Sequence, residues 1–164
     1  MGTSDEMGAM TEQGMAALTL VSGGQTGVDR AALDVAMERG MPCGGWCPAG
    51  RWAEDGPIDP RYPLRETPSA DPAERTSWNV RDSDGTLILV TSGESPGTEH
   101  TRTEAMRLGR PVYLWLLDAL PDAGHFRRWL QVYGIRTLNV AGPRESEAPG
   151  IYLAARDYLR AVLP

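Results

Sequence analysis

A short run of small and polar residues at 22–27 is the clearest candidate for chemistry in this sequence. It follows an apolar run at 18–21 and opens directly into a segment whose apolar residues recur at helical spacing. Glycines permit positive φ and close backbone approach, and the first N–H groups of a helix, with its dipole, attract an oxyanion. The pattern predicts an anion-binding loop made of Ser22, Gly23, Gly24, Gln25, Thr26 and Gly27. The alternative is that these glycines only make a tight strand-to-helix connection.

The glycine spacing excludes the two commonest phosphate loops. Gly23, Gly24 and Gly27 do not fit the GxGxxG pattern, and a Walker loop requires a lysine, which this sequence does not contain. The absence of lysine also excludes Schiff-base lysine chemistry. All 16 Lys and Arg positions are arginine, whose planar fork suits phosphate and carboxylate groups. An anion would therefore be bound by backbone N–H groups, hydroxyls and arginine.

A second loop of the same kind follows the most apolar strand of the sequence. Residues 85–91 contain an unbroken Leu-Ile-Leu-Val run, which predicts a strand buried on both faces. Residues 92–98 are small and polar, and a helix is predicted at 99–108. Two such units put two helix N-termini at the same edge of a parallel sheet, where one anionic ligand can contact both. The binding candidates from this unit are Ser92, Gly97, Thr98 and Thr101.

Arginine and aromatic residues are concentrated in an irregular, proline-rich segment at 46–66, which we call the flap. Long irregular segments in compact domains are often functional lids. Arginine can clamp a phosphate and an aromatic ring can stack on a base or pterin, so Trp46 and Arg51 are binding candidates. The alternative is a solvated flap whose aromatic residues pack against its own underside.

A helix is predicted at 71–81, with Asp71 as N-cap and a proline at its first position. Arg75 and Asn79 lie about one turn apart on this helix and are further binding candidates. Arg30, in the helix after the first loop, completes the set. The alternative for the helix at 71–81 is an ordinary surface helix.

Asp29 and Glu104 are the candidates for acid or base catalysis, although neither role is assigned. Asp29 falls in the first turn after the glycine-rich loop, where an aspartate often only stabilises the helix dipole. Cys43 and Cys47 have only two histidines elsewhere to accompany them, which is too few ligands for a convincing zinc site. We predict no direct protein metal site.

The length of 164 residues fits one domain with its own core, which we place at 16–164. Residues 1–15 have no periodicity and are predicted to form a disordered tail. The net charge of −6 argues against a nucleic-acid partner. No apolar run approaches the ~20 residues of a membrane span, and the N-terminus lacks signal-peptide features. We therefore expect a cytoplasmic protein without membrane contact.

Strands and helices alternate with short connections, which predicts an α/β fold with a mainly parallel sheet of about five strands and helices on both faces. The last third of the sequence is interpreted as scaffold, with the loop around Ser146 as a candidate third wall of the site. Its predicted elements are a buried strand at 112–117, a helix at 122–133, a strand at 138–140 and a helix at 148–163.

Five segments of the sequence match the motifs of a known family. They are SGGQTGVDRAALD at 22–34, GGWCPAGRWAEDGPI at 44–58, RYPLRET at 61–67, ERTSWNVRDSDGTLIL at 74–89 and PGTEHTRTEA at 96–105. Together they closely resemble the bacterial molybdenum carrier family, also described as circularly permuted YpsA-like, a branch of the superfamily of LOG proteins and DNA-processing protein A. The resemblance covers nearly all of residues 18–163. It implies a Rossmann-like three-layer sandwich, a pocket at the two glycine-rich loops, a homo-oligomer (dimer or tetramer), and binding of molybdenum cofactor or another nucleotide-like phosphate compound.

The sequence departs from the related LOG phosphoribohydrolases at one position. Those enzymes cleave nucleoside monophosphates and carry a PGGxGTxxE motif, whose equivalent in this chain is the run Ser95, Pro96, Gly97, Thr98. Thr101 stands at the position of the motif's Glu, and Glu104 lies one helical turn later. Loss of that carboxylate favours binding over hydrolysis. We expect a molybdenum cofactor carrier that holds a phosphorylated pterin (molybdopterin) or nucleotide at the two loops. The alternatives are a LOG-like nucleotide phosphoribohydrolase, a sensor of a nucleotide-derived ligand, and, last, a purely structural module.

Overall fold

A computed structural model describes residues 18–92 and 95–164 of the chain. The tail predicted at 1–15 lies outside the described residues, as do Gly93 and Glu94 of the second loop. The strands are β1 Thr19–Val21, β2 Cys43–Gly44, β3 Trp46–Cys47, β4 Trp52–Ala53, β5 Gly56–Pro57, β6 Arg65–Glu66, β7 Gly85–Val90, β8 Val112–Leu116 and β9 Thr137–Ala141. The helices are α1 Val28–Glu38, α2 Pro72–Arg81, α3 Pro96–Arg107, α4 Ala123–Val132 and α5 Ile151–Val162.

The main sheet has five parallel strands in the order β2-β1-β9-β7-β8. The central strand β9 pairs with β1 through Leu20 and Leu138, and with β7 through Leu87 and Val140. If the strands are counted from β9, the order becomes 3-2-1-4-5, which is that of a doubly wound Rossmann sheet. The predicted α/β Rossmann-like fold with a parallel sheet is confirmed.

Helices pack on both faces of this sheet. The larger core lies between the sheet and α1, α4 and α5, and contains the fully buried Leu87, Leu89 and Phe126. On β7, Ile88 alternates to the opposite face and is also fully buried. The helices α2 and α3 pack against each other, and α3 contacts β7. The unbroken apolar run of β7 therefore reflects burial on both faces, as predicted.

The flap has a small core of its own. Ala53, Ile58, Tyr62 and Leu64 are buried against Leu33 of α1. Two short pairings give it regular structure: β3 with β6 in parallel, and β4 with β5 in antiparallel orientation. These four residues thus pack the flap against α1.

The strand β8 differs from the prediction. It was expected to be buried, but it lies at the edge of the sheet, and Leu114 and Leu116 are 44% and 48% exposed. An apolar run looks the same in sequence whether its strand is central or at an edge, so burial was wrongly inferred. Of the helices described, none combines the length and apolarity that a membrane crossing requires.

Candidate ligand-binding cavity

A cavity of about 360 Å³ lies at the ends of β1, β9 and β7. Its walls come from the loop after β1, the helix α2, the start of α3 and the loop after β9. The central strand β9 is the switch point of the sheet, and open α/β sheets bind ligands outside the carboxyl ends of the strands at this point. Of the residues selected from the sequence, those that line the cavity are Gly23, Gln25, Asp29, Arg75, Asn79, Gly97 and Thr101.

Arg75 supplies a buried positive charge at the cavity. It is held on α2, whose N-cap Asp71 accepts a hydrogen bond from the amide of Ala73 at 3.0 Å. The Arg75 side chain donates through Nη1 to the carbonyl of Gly23 at 2.8 Å and is only 10% exposed. A Cβ added to Gly23 would lie 2.5 Å from Cδ of Arg75, so a glycine is needed where the arginine crosses the loop.

Asp29 lies beside this arginine. Its Oδ2 accepts a hydrogen bond from the amide of Gln25 at 3.4 Å and is 4.0 Å from Nη1 of Arg75. Burial raises the pKa of Asp29 to about 6, although Arg75, the Gln25 amide and Arg30 act in the opposite direction. Asp29 is therefore a carboxyl group that can take up and release a proton near neutral pH.

The first glycine-rich loop uses several of its amides internally. The amide of Gln25 donates to Asp29, that of Thr26 to Oε1 of Gln25 at 3.0 Å, and that of Val28 to the carbonyl of Pro143 at 3.3 Å. Gly24 has a φ of +76°, and an added Cβ would lie 2.5 Å from a methyl group of Leu64 in the flap. Protein groups thus occupy the amides of Gln25 and Thr26, two of those that the sequence pattern assigned to an anion.

The second loop leads to the N-terminus of α3, which is less crowded than that of α1. Ser95 is the N-cap of α3 and accepts the amide of Thr98 at 3.4 Å, and Pro96 occupies the first turn. Gly97 lines the cavity, and an added Cβ would meet no described heavy atom within 4 Å. The hydroxyl of Thr101 donates to the carbonyl of Gly97 at 3.1 Å. Among the described residues, the start of α3 is therefore the stronger candidate for holding an anion.

Four candidates from the first unit face elsewhere. Ser22 is fully buried and donates its hydroxyl to the carbonyl of Asp29 at 2.9 Å. Thr26, Gly27 and Arg30 line a second, more open cavity of about 800 Å³ between the flap, α1 and the start of α5. There Arg30 pairs with Asp55 at 3.0 Å.

The flap candidates Trp46 and Arg51 do not line the first cavity. Arg51 donates to the carbonyls of four residues of the flap. The indole of Trp46 donates to Asp82 at 2.8 Å and packs edge-on against Trp78 at 4.8 Å between ring centroids. Neither side chain lines the cavity. Both are used to fix the flap itself. The carbonyls that hold Arg51 belong to Ile58, Asp59, Tyr62 and Leu64.

Of the four remaining candidates, Asn79 lines the cavity, whereas Thr98, Ser92 and Glu104 do not. Asn79 lines the cavity and also anchors the flap, since its amide group exchanges hydrogen bonds of 2.8 and 3.0 Å with the backbone of Trp46. Thr98 is buried with its hydroxyl unpartnered among the described residues, and Ser92 is exposed; neither lines the cavity. Glu104 does not line the cavity, and its 2.7 Å pair with Arg107 lowers its pKa.

The loop around Ser146 was expected to be a third wall of the site, but no binding residue was predicted in this loop or in β9. Asn139, Arg144 and Glu147 line the cavity, as does His100 on α3. Strand β9 was treated as scaffold because its central place follows from the topology and not from local pattern. The sequence signal that could have identified this part of the site is the position of Gly142 and Arg144 directly after the predicted strand at 138–140. Among the described residues, no group of three or more His, Cys, Asp or Glu side chains is arranged to hold a metal ion.

The strand order and the position of the cavity define a Rossmann-like α/β domain. The model of the circularly permutated YpsA SLOG family matches residues 20–163, and the chain belongs to this family. The permutation is visible in the sheet, where the last strand in the chain takes the central position. The assignment made from the motifs is thus confirmed.

A solved structure supports the same assignment. The chain is similar to the crystal structure of "Putative molybdenum carrier protein" from Syntrophus aciditrophicus SB, with a TM-score of 0.86 and 41% sequence identity. The match covers 90% of this chain and 96% of the other. No curated protein matches the chain.

Proposed function

We propose that this protein binds a small phosphorylated ligand, either a molybdenum cofactor pterin or a nucleotide, in the cavity at the end of β9. The observation that carries the proposal is the position of buried Arg75 and the open start of α3 in one cavity at the switch point. A helix N-terminus and a fixed arginine both stabilise a phosphate. The name of the similar crystal structure supports a molybdenum-related ligand.

The phosphate would contact the start of α3 at Gly97 and the guanidinium of Arg75. The hydrogen bonds described for Arg75 use Nε and Nη1, which leaves Nη2 for the ligand. Asn79 and Thr101 would line the body of the ligand. Molybdenum would arrive chelated by its organic cofactor, with the phosphate as the group that the protein recognises.

Native mass spectrometry of protein purified gently from its host tests this proposal. The complex is denatured, and the released small molecule is identified. We expect a molybdopterin, its oxidised fluorescent product, or a nucleotide. The variant Arg75→Gln should lose the bound compound, whereas Arg51→Gln, whose guanidinium binds only flap carbonyls among its described contacts, should retain it if folded. Protein that releases no phosphorylated compound would contradict the proposal.

Hydrolysis of a nucleotide is the second candidate function. It is favoured by Asp29, a cavity carboxyl whose pKa is raised to about 6 by burial, since a general acid works best with a pKa near the working pH. The test is release of free base from a panel of nucleoside monophosphates. Asp29→Asn should abolish release, and Glu104→Gln should preserve it because Glu104 lies outside the cavity. Equal release by both variants would reject Asp29 as the acid.

We also propose that the protein forms a homo-oligomer, a dimer or a tetramer. The exposed Leu114 and Leu116 at the sheet edge are suited to burial against a second copy. Light scattering after size-exclusion chromatography measures the mass directly. Leu116→Glu should shift the mass towards that of one chain, and an unchanged mass would exclude this face as the contact.

A further inference from the structure

The ligand cavity places a carboxylate among groups that otherwise suit an anion. Asp29 and Arg75 both line it, with Oδ2 and Nη1 4.0 Å apart. A bare oxyanion next to Asp29 would meet a like charge, which is unfavourable in a buried site. The part of the cavity beside Asp29 therefore suits a chemical group that donates hydrogen bonds.

Asp29 also retains unused acceptor positions. An ionised carboxylate has about four lone-pair positions for hydrogen bonds. The described donors are the amides of Gln25 and Gly23, while the Arg75 guanidinium lies too far for a good hydrogen bond. Because the carboxylate borders the cavity, its remaining positions are open to a ligand.

The start of α3, which would contact the phosphate through Gly97, lies on the other side of the central strand from Asp29. Strands β1 and β7 each pair with β9, so the loops that follow them are separated by two strand spacings, or roughly 10 Å. Asp29 belongs to the unit after β1, and Gly97 to the unit after β7. A ligand that contacts both Asp29 and Gly97 must therefore span roughly 10 Å across the cavity.

We infer that the ligand carries a 2-amino-4-oxopyrimidine edge, as a pterin or guanine does, and that Asp29 accepts hydrogen bonds from its ring N–H and exocyclic amine. This inference rests on the proposed function, since it assumes a phosphorylated heterocycle in the cavity. The two N–H groups lie side by side and match the two oxygens of a carboxylate, as an arginine fork does. Adenine has no such pair, so Asp29 is a specificity-determining residue.

Calorimetric titration of the full chain with GMP, IMP and AMP tests this inference. All three carry the same phosphate, but IMP lacks the 2-amino group, and AMP lacks both the 2-amino group and the ring N1–H, since its amine is at C6. We expect GMP to bind roughly tenfold more tightly than IMP, because one hydrogen bond to a charged group is lost, and AMP to bind no better than IMP. Asp29→Asn should remove the preference, and Asp157→Asn, on α5 outside the cavity, should keep it.

A pH series provides a second test that needs no variant. Burial raises the pKa of Asp29 to about 6, so the group accepts hydrogen bonds above that pH and is protonated below it. The ratio of GMP to AMP affinity should therefore fall as the pH falls through this value. The ratio isolates Asp29 because the other charged groups and the phosphate act on both nucleotides alike. The facing groups are Arg30 on α1, Arg75 on α2, His100 on α3, and Arg144 and Glu147 after β9.

The outcomes separate this inference from the proposed function. Equal affinity for the three nucleotides, unchanged in Asp29→Asn, overturns the inference and leaves phosphate-dependent binding intact. AMP bound more tightly than GMP also overturns it. Protein that binds none of the three and releases no phosphorylated compound on denaturation contradicts both the inference and the proposed function.

Discussion

The carboxylate of Glu54 accepts hydrogen bonds from both the amide and the hydroxyl of Ser146, at 3.1 and 2.5 Å. Glu54 lies in the flap, and Ser146 lies in the loop after β9. The same carboxylate accepts the hydroxyl of Thr26 and is 3.4 Å from Nε of Arg144. The amide of Glu54 donates to Gln25, which lines the cavity. One flap residue thus joins both loops that border the ligand cavity.

Replacement of Glu54 by glutamine should loosen the flap. The glutamine NH₂ group cannot accept the hydrogen bonds that one carboxylate oxygen now receives, so we expect a loss of about 1–2 kcal/mol in the free energy of unfolding. Hydrogen exchange of flap amides should also become faster. Asp55→Asn is the matched control, because its pair with Arg30 is half exposed and contributes about 0–1 kcal/mol. Equal exchange rates in the two variants would contradict this role for Glu54.

Gly23→Ala should impair the cavity more than the fold. The added methyl group would lie 2.5 Å from Cδ and Nη1 of Arg75, which must then move out of position. We expect ligand affinity to fall at least tenfold, which corresponds to about 1.4 kcal/mol, as measured by titration with the compound recovered from the native protein. Gly124→Ala on α4, where the added Cβ would lie 3.8 Å from Oδ1 of Asp122, should leave affinity unchanged.

Arg51→Lys should destabilise the protein although it preserves the charge. The guanidinium of Arg51 donates to four flap carbonyls at 2.9–3.2 Å, and a lysine cannot reproduce this fan of donors. We expect a loss of about 2–3 kcal/mol in urea unfolding. Arg102→Lys, on the exposed side of α3, provides the comparison. Unchanged stability in Arg51→Lys, with reduced ligand affinity, would restore the direct anion-binding role that the sequence suggested.

Asp29 should make stability depend on pH in the direction opposite to most carboxylates. Its pKa is about 6 in the folded protein and near the ordinary 3.8 when unfolded, so between these values the folded state holds a proton that the unfolded state has lost. The contribution to stability falls as pH rises from about 4 to about 6, by roughly 3 kcal/mol. Urea unfolding of wild type and Asp29→Asn across this range measures the difference. Parallel curves for the two proteins would show that the pKa of Asp29 is not raised.

The fold was largely accessible from the sequence because its signals are local. The buried run of β7, the N-cap Asp71 with Pro72, and the glycine-rich turn before α1 each specify an element by its own residues. The edge position of β8 and the central position of β9 were missed. Both depend on which strands pair, and pairing is set by the whole chain.

The site was accessible only in part. Arg75 and Gly97, both selected from the sequence, line the cavity; Gly97 stands at a helix start after a parallel strand, whereas Arg75 lies on α2, which follows the flap. That Arg51 does not line it was not evident, since an arginine near aromatic residues has the same sequence pattern whether it binds phosphate or backbone carbonyls. Asp29 was noted, but its raised pKa depends on burial, which a sequence does not reveal.

The central position of β9 also bears on how the chain folds during synthesis. Strands β1 and β2 form one pair and β7 and β8 another, and β9 alone joins them. A ribosome that has not yet translated Thr137 therefore holds two half-sheets with unpaired inner edges. We expect nascent chains stalled before this residue to be cleaved readily by protease and to recruit chaperones. Chains that carry a C-terminal linker long enough to bring Val162 out of the exit tunnel should resist cleavage, because the two halves assemble only once β9 has left the tunnel.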